Sequence, residues 1–263
     1  MKKLLFLLFA INLFAYNVSV SIIPQKFIVE KIAKNRANVN VMVLPGNSPA
    51  TYSPKPKQLL SLKHSLLYFK IGVPFEKAWI NKFIAINPKI ELVDMTKGIK
   101  KTKNPHIWLD PIFLIQEAKI VKNALIKIDS KNKTFYEKNY QEFVKEAKKV
   151  DFEIRTLLSN LKQRTFLIFH PSLYYFAKRY NLNEIALEKE GKEPGLRYIM
   201  KLIKTAKEKN IKVIFTSPEF SQKSAKFIAK KIDGKVVSFS PLEYNIFKNI
   251  LKVAKLLNEY NRN

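Results

Sequence analysis

Histidine is scarce in this chain, three in 263 residues, and cysteine is absent. Imidazole nitrogen and carboxylate oxygen are therefore the donors that could hold a cation, while thiolate chemistry and disulfides are excluded. His106 lies in Asn104-Pro105-His106-Ile107-Trp108-Leu109-Asp110-Pro111. The two prolines fix φ and push Asn104 and Asp110 towards extended backbone. A stiff turn should therefore hand over to a helix with Asp110 as N-cap and Pro111 at its first position. A histidine on such a backbone loses little freedom on taking up a metal ion, although the same stiffness suits a core histidine in a tight turn. His170 ends the apolar run 165–169 and precedes Pro171, which is expected to open a helix. The imidazole would then sit near a positive helix N-terminus, which favours the neutral, metal-binding form. His64, in Leu62-Lys63-His64-Ser65, reads as a surface or structural residue.

Two regions of alternating strand and helix patterns must position these side chains. In the first, strands are expected at 18–23, 39–44, 66–70 and 90–93, with helices at 26–34 and 76–86. A helix over 111–128 follows. Then one apolar stripe, Tyr136, Tyr140, Phe143, Ala147, Val150, Ile154, Leu157 and Leu161, predicts a single long helix. The second region repeats the pattern, with strands at 165–169, 184–187, 212–215 and 235–239 and helices at 171–180, 196–209, 222–232 and 243–258. Strands alternating with helices imply parallel sheets, whose ligands lie beyond the carboxyl ends of the strands. The fold class expected is α/β: two lobes, each a four-stranded parallel sheet with flanking helices, joined by one long backbone helix. The divisions are 16–130 for the first lobe, 131–162 for the connecting helix and 163–263 for the second lobe. With no second heptad run to pair with, the long helix is expected to lie within a monomer.

Residues 1–15 have the parts of a secretory signal: Lys2 and Lys3, an apolar run from Leu4 to Phe14, and Ala15 at a cleavage point. The run is too short to span a bilayer, which takes roughly 20 helical residues. Leu13 is a poor residue at the third position before the cut, so an uncleaved anchor stays open. No cysteine follows to carry a lipid. Formal net charge is +27. The lysines are spread along the chain on polar helix faces without an arginine-rich or aromatic-interleaved tract, which argues against nucleic acid and for a generally basic surface.

The octapeptide at 104–111 resembles the Asp/Asn-Pro-His-x-Trp-Leu-Asp/Ser-Pro signature of the solute-binding proteins of zinc and manganese ABC importers. Phe169-His170-Pro171-Ser172-Leu173-Tyr174-Tyr175-Phe176-Ala177 is similar to a second stretch of that family, Phe-His-x-x-x-x-Tyr-Phe-Ala. The resemblance implies that both histidines are metal ligands in an interlobe cleft, that the long helix restrains the lobes, and that the protein is periplasmic and delivers a divalent metal to a membrane permease. Zinc is expected ahead of manganese.

Two further ligand positions depart from the family. Pro45-Gly46-Asn47-Ser48-Pro49-Ala50-Thr51-Tyr52 resembles its Pro-Pro-Gly-x-Ser-Pro-His-x-Tyr segment, with Ala50 in place of the histidine. Ser240, in Ser238-Phe239-Ser240-Pro241-Leu242, stands where relatives carry a carboxylate. Glu219, in Thr216-Ser217-Pro218-Glu219-Phe220, follows a strand of the second lobe and is the candidate replacement, unless it serves the next helix as a capping carboxylate. Glu76, in a stretch similar to the family's Gly-x-x-Phe-Glu-x-Trp, is a second candidate, or a helix-start carboxylate. The expected metal site is thus His106, His170 and Glu219. Ile185-Ala186-Leu187-Glu188-Lys189-Glu190-Gly191-Lys192-Glu193-Pro194 is similar to one branch of the family without a derivable role, and a solvated loop serves as well. Lys97 to Lys103 holds only cations where some relatives have a metal-collecting loop. A metal chelate or other small ligand is the alternative cargo. A metal-dependent hydrolase is disfavoured, since no His-Glu-x-x-His helix, Gly-x-Ser-x-Gly elbow or Walker loop is present.

Overall fold

In the computed structural model, residues 15–261 are described except 101, 189 and 190. The secretory segment read at 1–15 lies, but for Ala15, outside the described residues. The first lobe runs β1 (Tyr16–Val20), α1 (Ile23–Ala33), β2 (Ala37–Val41), α2 (Pro56–Leu62), β3 (Leu67–Lys70), α3 (Pro74–Ile86) and β4 (Glu91–Asp94). Then come α4 (Pro111–Ile128) and the long α5 (Lys133–Leu158). The second lobe runs β5 (Thr165–Ile168), α6 (Tyr174–Arg179), β6 (Asn183–Ala186), α7 (Leu196–Glu208), β7 (Val213–Thr216), α8 (Lys223–Ile232) and β8 (Lys235–Ser238), and α9 (Ile246–Asn261) closes the described chain. Both sheets are four-stranded and wholly parallel, in the equivalent orders β2-β1-β3-β4 and β6-β5-β7-β8. Each chain path turns outward after its first strand and then returns to the other side. A crevice therefore opens at the carboxyl ends of the central strands.

Central strands are buried on both faces and read as continuous apolar runs: Thr165–Ile168 and Val213–Thr216 are buried throughout, whereas edge strand β8 is not. The first two strands end earlier than their apolar runs suggest. Pro24, expected only to stop β1, instead sits in the first turn of α1, where its missing N–H costs nothing, and Gln25 Oε1 accepts from the backbone N–H of Ser21 and Ile22. The helix α2 was hidden by prolines for the same reason. Pro56 opens it, and the Gln58 carboxamide accepts from Lys55 N and Tyr52 Oη while donating to the carbonyls of Val41 and Met42. That side chain pins the proline-rich loop to the end of β2, close to the crevice.

The stripe on α5 is buried where expected, at Tyr136, Phe143, Ala147, Val150 and Ile154. The helix packs on α4, α1 and α9. Phe143 meets Phe27 of α1 and Phe247 of α9, with ring centroids 6.4 and 5.0 Å away, and Tyr244 Oη donates to Glu30 Oε2 at 2.7 Å. The chain therefore crosses between the lobes at α5 and again before α9. The turn at 104–111 adds further ties. Trp108, in a single 3₁₀ turn, donates its indole N–H to the Pro241 carbonyl at 2.7 Å. Asp110 caps α4 at Ile112 N and Phe113 N and pairs with Arg179 of α6 at 2.5 Å. Burial of the Asp110 carboxyl outweighs the guanidinium and raises its pKa.

On α4, Glu117 is fully buried and neither carboxylate oxygen has a hydrogen-bond partner. Burial, followed by the negative charge of Asp110, holds the group well above the ordinary carboxylate range. It is a polar group in an apolar place, and an unpaired buried polar group costs about 1–3 kcal/mol. Glu117→Met keeps the length and removes the polar oxygens. It is expected to raise unfolding stability in urea by about 1–3 kcal/mol; an unchanged or lower midpoint would show that Glu117 has a partner in solution.

Candidate metal centre

The crevice is built from loops that follow strands. His170 follows β5, Glu188 follows β6, Glu219 follows β7 and Ser240 follows β8, so every strand of the second sheet contributes. From the first lobe come Ser48, Pro49 and Ala50 after β2, Val73 and Pro74 after β3, and His106 just before α4. With Pro241 and Leu242 in place of Ser240 itself, these residues line a cavity of about 320 Å³.

His106 is held by its near neighbour. Asn104 Oδ1 accepts from the backbone N–H of His106 at 3.0 Å and lies 2.8 Å from its Nδ1. A backbone N–H can only donate, so that atom is the carboxamide oxygen, and Nδ1 must carry the proton. The lone pair is then on Nε2. Burial, with His170 adding to it, lowers the His106 pKa well below the usual imidazole value. His106 is thus kept neutral, the state a metal requires.

His170 is oriented by another route. Pro171 does not open the next helix as expected. The chain turns through 170–173 with Ser172 N donating to the His170 carbonyl, and α6 starts at Tyr174. The backbone N–H of Leu173, just before that helix, is taken by Glu184 Oε1 at 2.7 Å. What orients the imidazole is Glu188, whose side chain is 3% exposed and whose Oε1 lies 2.7 Å from His170 Nδ1. A carboxylate on one ring nitrogen fixes the tautomer and turns the other nitrogen outward to a ligand. Glu188 therefore is not a solvated loop residue; the tell in the sequence was its place one loop beyond a strand neighbouring that of His170, a pairing that only the sheet order reveals.

The two imidazoles meet edge to face, with centroids 5.2 Å apart. His106 also packs on Trp108 and His170 stacks on Phe220, each at 5.0 Å. Glu219 lines the same cavity and makes no capping bond to α8, whose first turn is met instead by Ser221 Oγ. Ser240 Oγ donates to Glu219 Oε1 at 2.9 Å, and Glu219 Oε2 is buried without a partner. Among the described residues, no three His, Asp or Glu side chains are already gathered tightly enough to enclose an ion.

The other candidates lie elsewhere. Glu76 is buried in the first lobe, accepting from Ser21 Oγ and from the backbone N–H of Ile71 and Gly72 at 2.6–2.8 Å. It staples the β3–α3 turn, whose Val73 and Pro74 form the cavity wall. His64 is exposed in the turn after α2.

A family model described as "Zinc-uptake complex component A periplasmic" matches residues 18–249. The chain belongs to this ZnuA family. The high-affinity zinc uptake system protein ZnuA of Bacillus subtilis is 25% identical over 243 residues, covering 84% of this chain and 76% of that one. Among solved structures, a crystal structure of ZnuA superposes with a TM-score of 0.91 at 37% identity, covering 94% of this chain and 99% of that one. A zinc-bound deletion mutant of ZnuA gives 0.89 at 36%, covering 95% and 99%. The fold of two parallel sheets and one long helix is thus the family fold.

Two outcomes follow from the geometry. Nitrogen-15 NMR of the imidazoles is expected to report the Nδ1–H tautomer at both His106 and His170, and Asn104→Ala is expected to release His106 from it; an Nε2–H tautomer at either histidine of the wild type would contradict the bonding described. Glu184 supplies the pH dependence. Burial pushes its carboxyl up to about 7 from the ordinary 4.5. A carboxyl raised on folding adds stability that is complete below about pH 4.5 and lost as pH rises through about 7. Glu184→Gln keeps the acceptor for Leu173 N. Relative to wild type it should gain roughly 1–2 kcal/mol between pH 4.5 and 8, allowing for the partial solvent contact of this group; a pH-independent difference would rule the linkage out.

Proposed function

We propose that this chain is the periplasmic receptor of a metal-ion ABC importer, which captures a divalent transition metal, zinc ahead of manganese, in the interlobe crevice and delivers it to a membrane permease. The carrying observation is the pair of imidazoles contributed by opposite lobes, His106 buried and His170 partly exposed, each with Nδ1 already bonded, so that each has only Nε2 to offer to the shared cavity. His106 and His170 are the first ligands in this reading, and Glu219 adds a charged oxygen. Glu188 and Asn104 orient them without binding.

Electrostatics favours a cation. The chain carries +27 overall, yet among the described residues lining the cavity none is Lys or Arg and two are glutamates. A local negative potential inside a basic shell, with apolar walls that reduce screening, concentrates divalent ions at the imidazoles. Imidazole with carboxylate is a donor set suited to zinc and tolerable to manganese. No helix among the described residues is long and apolar enough to cross a membrane. We take the receptor to act as a monomer exported by its N-terminal signal, without a lipid anchor, with no nucleic-acid partner and no catalytic step of its own.

Isothermal titration of the chelator-stripped protein with zinc tests the reading. One ion is expected to bind, and His106→Ala with His170→Ala is expected to abolish the heat. Glu219→Gln should weaken binding on the order of thirtyfold, about 2 kcal/mol, by removing charge while keeping shape. Ala50→His should tighten it by restoring a nitrogen donor. Undiminished binding by the double alanine variant would place the site elsewhere.

A further inference from the structure

The crevice holds fewer donors than a metal ion needs and more room than a metal ion fills. Beyond the two imidazoles, Ala50 presents a methyl group, and the Ser240 hydroxyl is engaged on Glu219. A tetrahedral ion bound by His106 and His170 alone would be short of two ligands, and Glu219, with one oxygen engaged by Ser240, has one oxygen left to supply. The cavity of about 320 Å³ falls within the range of roughly 300–1,000 Å³ that encloses small organic ligands. Two waters completing a coordination shell would occupy only about 60 Å³ of it. The surfaces bordering the remainder are Pro49, Val73, Trp108, Phe220 and Leu242. Such walls gain nothing from water and favour an apolar group.

Resting on the metal-receptor reading above, we infer that the cargo enters as a complex of the divalent metal with one small α-amino acid. Its amino nitrogen and carboxylate oxygen take the coordination positions that the two imidazoles leave open, and its side chain lies on the apolar wall. The amino acid binds as its anion, the ammonium losing one proton to solvent as the nitrogen takes the metal. The chelator's single negative charge is then neutralised by the ion itself, so no cationic side chain is needed beside it. None of the described lining residues supplies one. That same absence argues against a polycarboxylate chelator, whose surplus negative charge would be set in a low-dielectric site beside Glu188 and Glu219. Chelation also fits a site with both Nδ1 bonds in place and few further donors, since the external ligand supplies the rest.

Equilibrium dialysis of the full chain, stripped of metal, tests this with zinc alone, zinc with radiolabelled L-leucine, L-leucine alone, and zinc with radiolabelled citrate. Leucine is expected to be retained one to one with zinc and not without it, to raise zinc affinity at matched free zinc on the order of tenfold, and citrate to be excluded. Ala50→His, which fills one of the open positions, should retain zinc and lose the leucine. Zinc retained with no co-retained leucine overturns the inference while leaving the metal-receptor reading intact, as does citrate retained as well as leucine, or leucine retained equally by Ala50→His. Retention of neither zinc nor the mixture, or undiminished retention of both by the His106→Ala, His170→Ala variant, overturns the metal-receptor reading itself.

Discussion

The Asn104 carboxamide is the contact on which the rest of the site depends. Its oxygen accepts from the His106 backbone and ring, fixing the tautomer, while its nitrogen donates to the Pro171 carbonyl at 2.6 Å, across the crevice and one residue beyond His170. One side chain thereby sets the free lone pair of His106 and the position of His170. Tyr175 Oη adds to the tie, donating to the Asn104 carbonyl at 3.1 Å. An aspartate at this position could accept from His106 but could not donate to a carbonyl. The distinction matters because a lobe contact made through the ligand turn itself couples ligand geometry to lobe separation. An opening that breaks the bond to Pro171 also moves the two imidazoles apart.

The surrounding fold limits such openings. Phe27, Phe143 and Phe247 form a cluster shared by α1, α5 and α9, so helices on either side of the second sheet's chain segment are packed against the first lobe. Trp108 to Pro241 and Asp110 to Arg179 close the base of the crevice. A wide hinge would have to expose the aromatic cluster, whose rings each bury on the order of 150–250 Å². Small movements of the loops that carry Ala50, Glu188 and Glu219 need no such exposure. Motion at the mouth of the crevice, above a fixed imidazole pair, is the arrangement that the packing favours.

Much of this was legible in the residues. The apolar stripe on α5, the Asp110–Pro111 helix start and the two sets of alternating elements all follow local rules, because caps, prolines and periodic burial act within a few residues. The misses are where proline has two meanings. Pro24 and Pro56 read as breakers and are helix openers, while Pro171 reads as an opener and sits in a turn. Glu188 escaped for a different reason. Its partner is 18 residues away, and the neighbouring positions of β5 and β6 that join them are a property of sheet order. Glu117 gave no signal at all, since a glutamate on a helix is ordinarily solvated and only packing reveals that this one is not.

Ala50 and Ser240, where the resemblance implies ligands in relatives, are not equivalent once the contacts are considered. Ala50 lies on an exposed loop of the first lobe, and its methyl group has no substitute near it in the same loop. Ser240 is different, because its hydroxyl donates to Glu219 Oε1 and leaves Oε2 buried and unpaired. An unpaired buried oxygen is an expensive feature to keep unless something occupies it in the working state. A carboxylate at 240 would repel the one at 219, whereas a glutamine at 219 could donate its amide N–H to it. Serine with glutamate is therefore a coupled arrangement, a hydroxyl donor on one strand-end loop serving the carboxylate on its neighbour. On this argument Ser240→Asp alone should harm the site by placing two carboxylates together, whereas the same change combined with Glu219→Gln should restore function. Zinc affinity in the two variants decides the matter: equal loss in both would mean that a carboxylate cannot be exchanged between the two loops and that the loop geometry, not the carboxylate alone, is what the site needs.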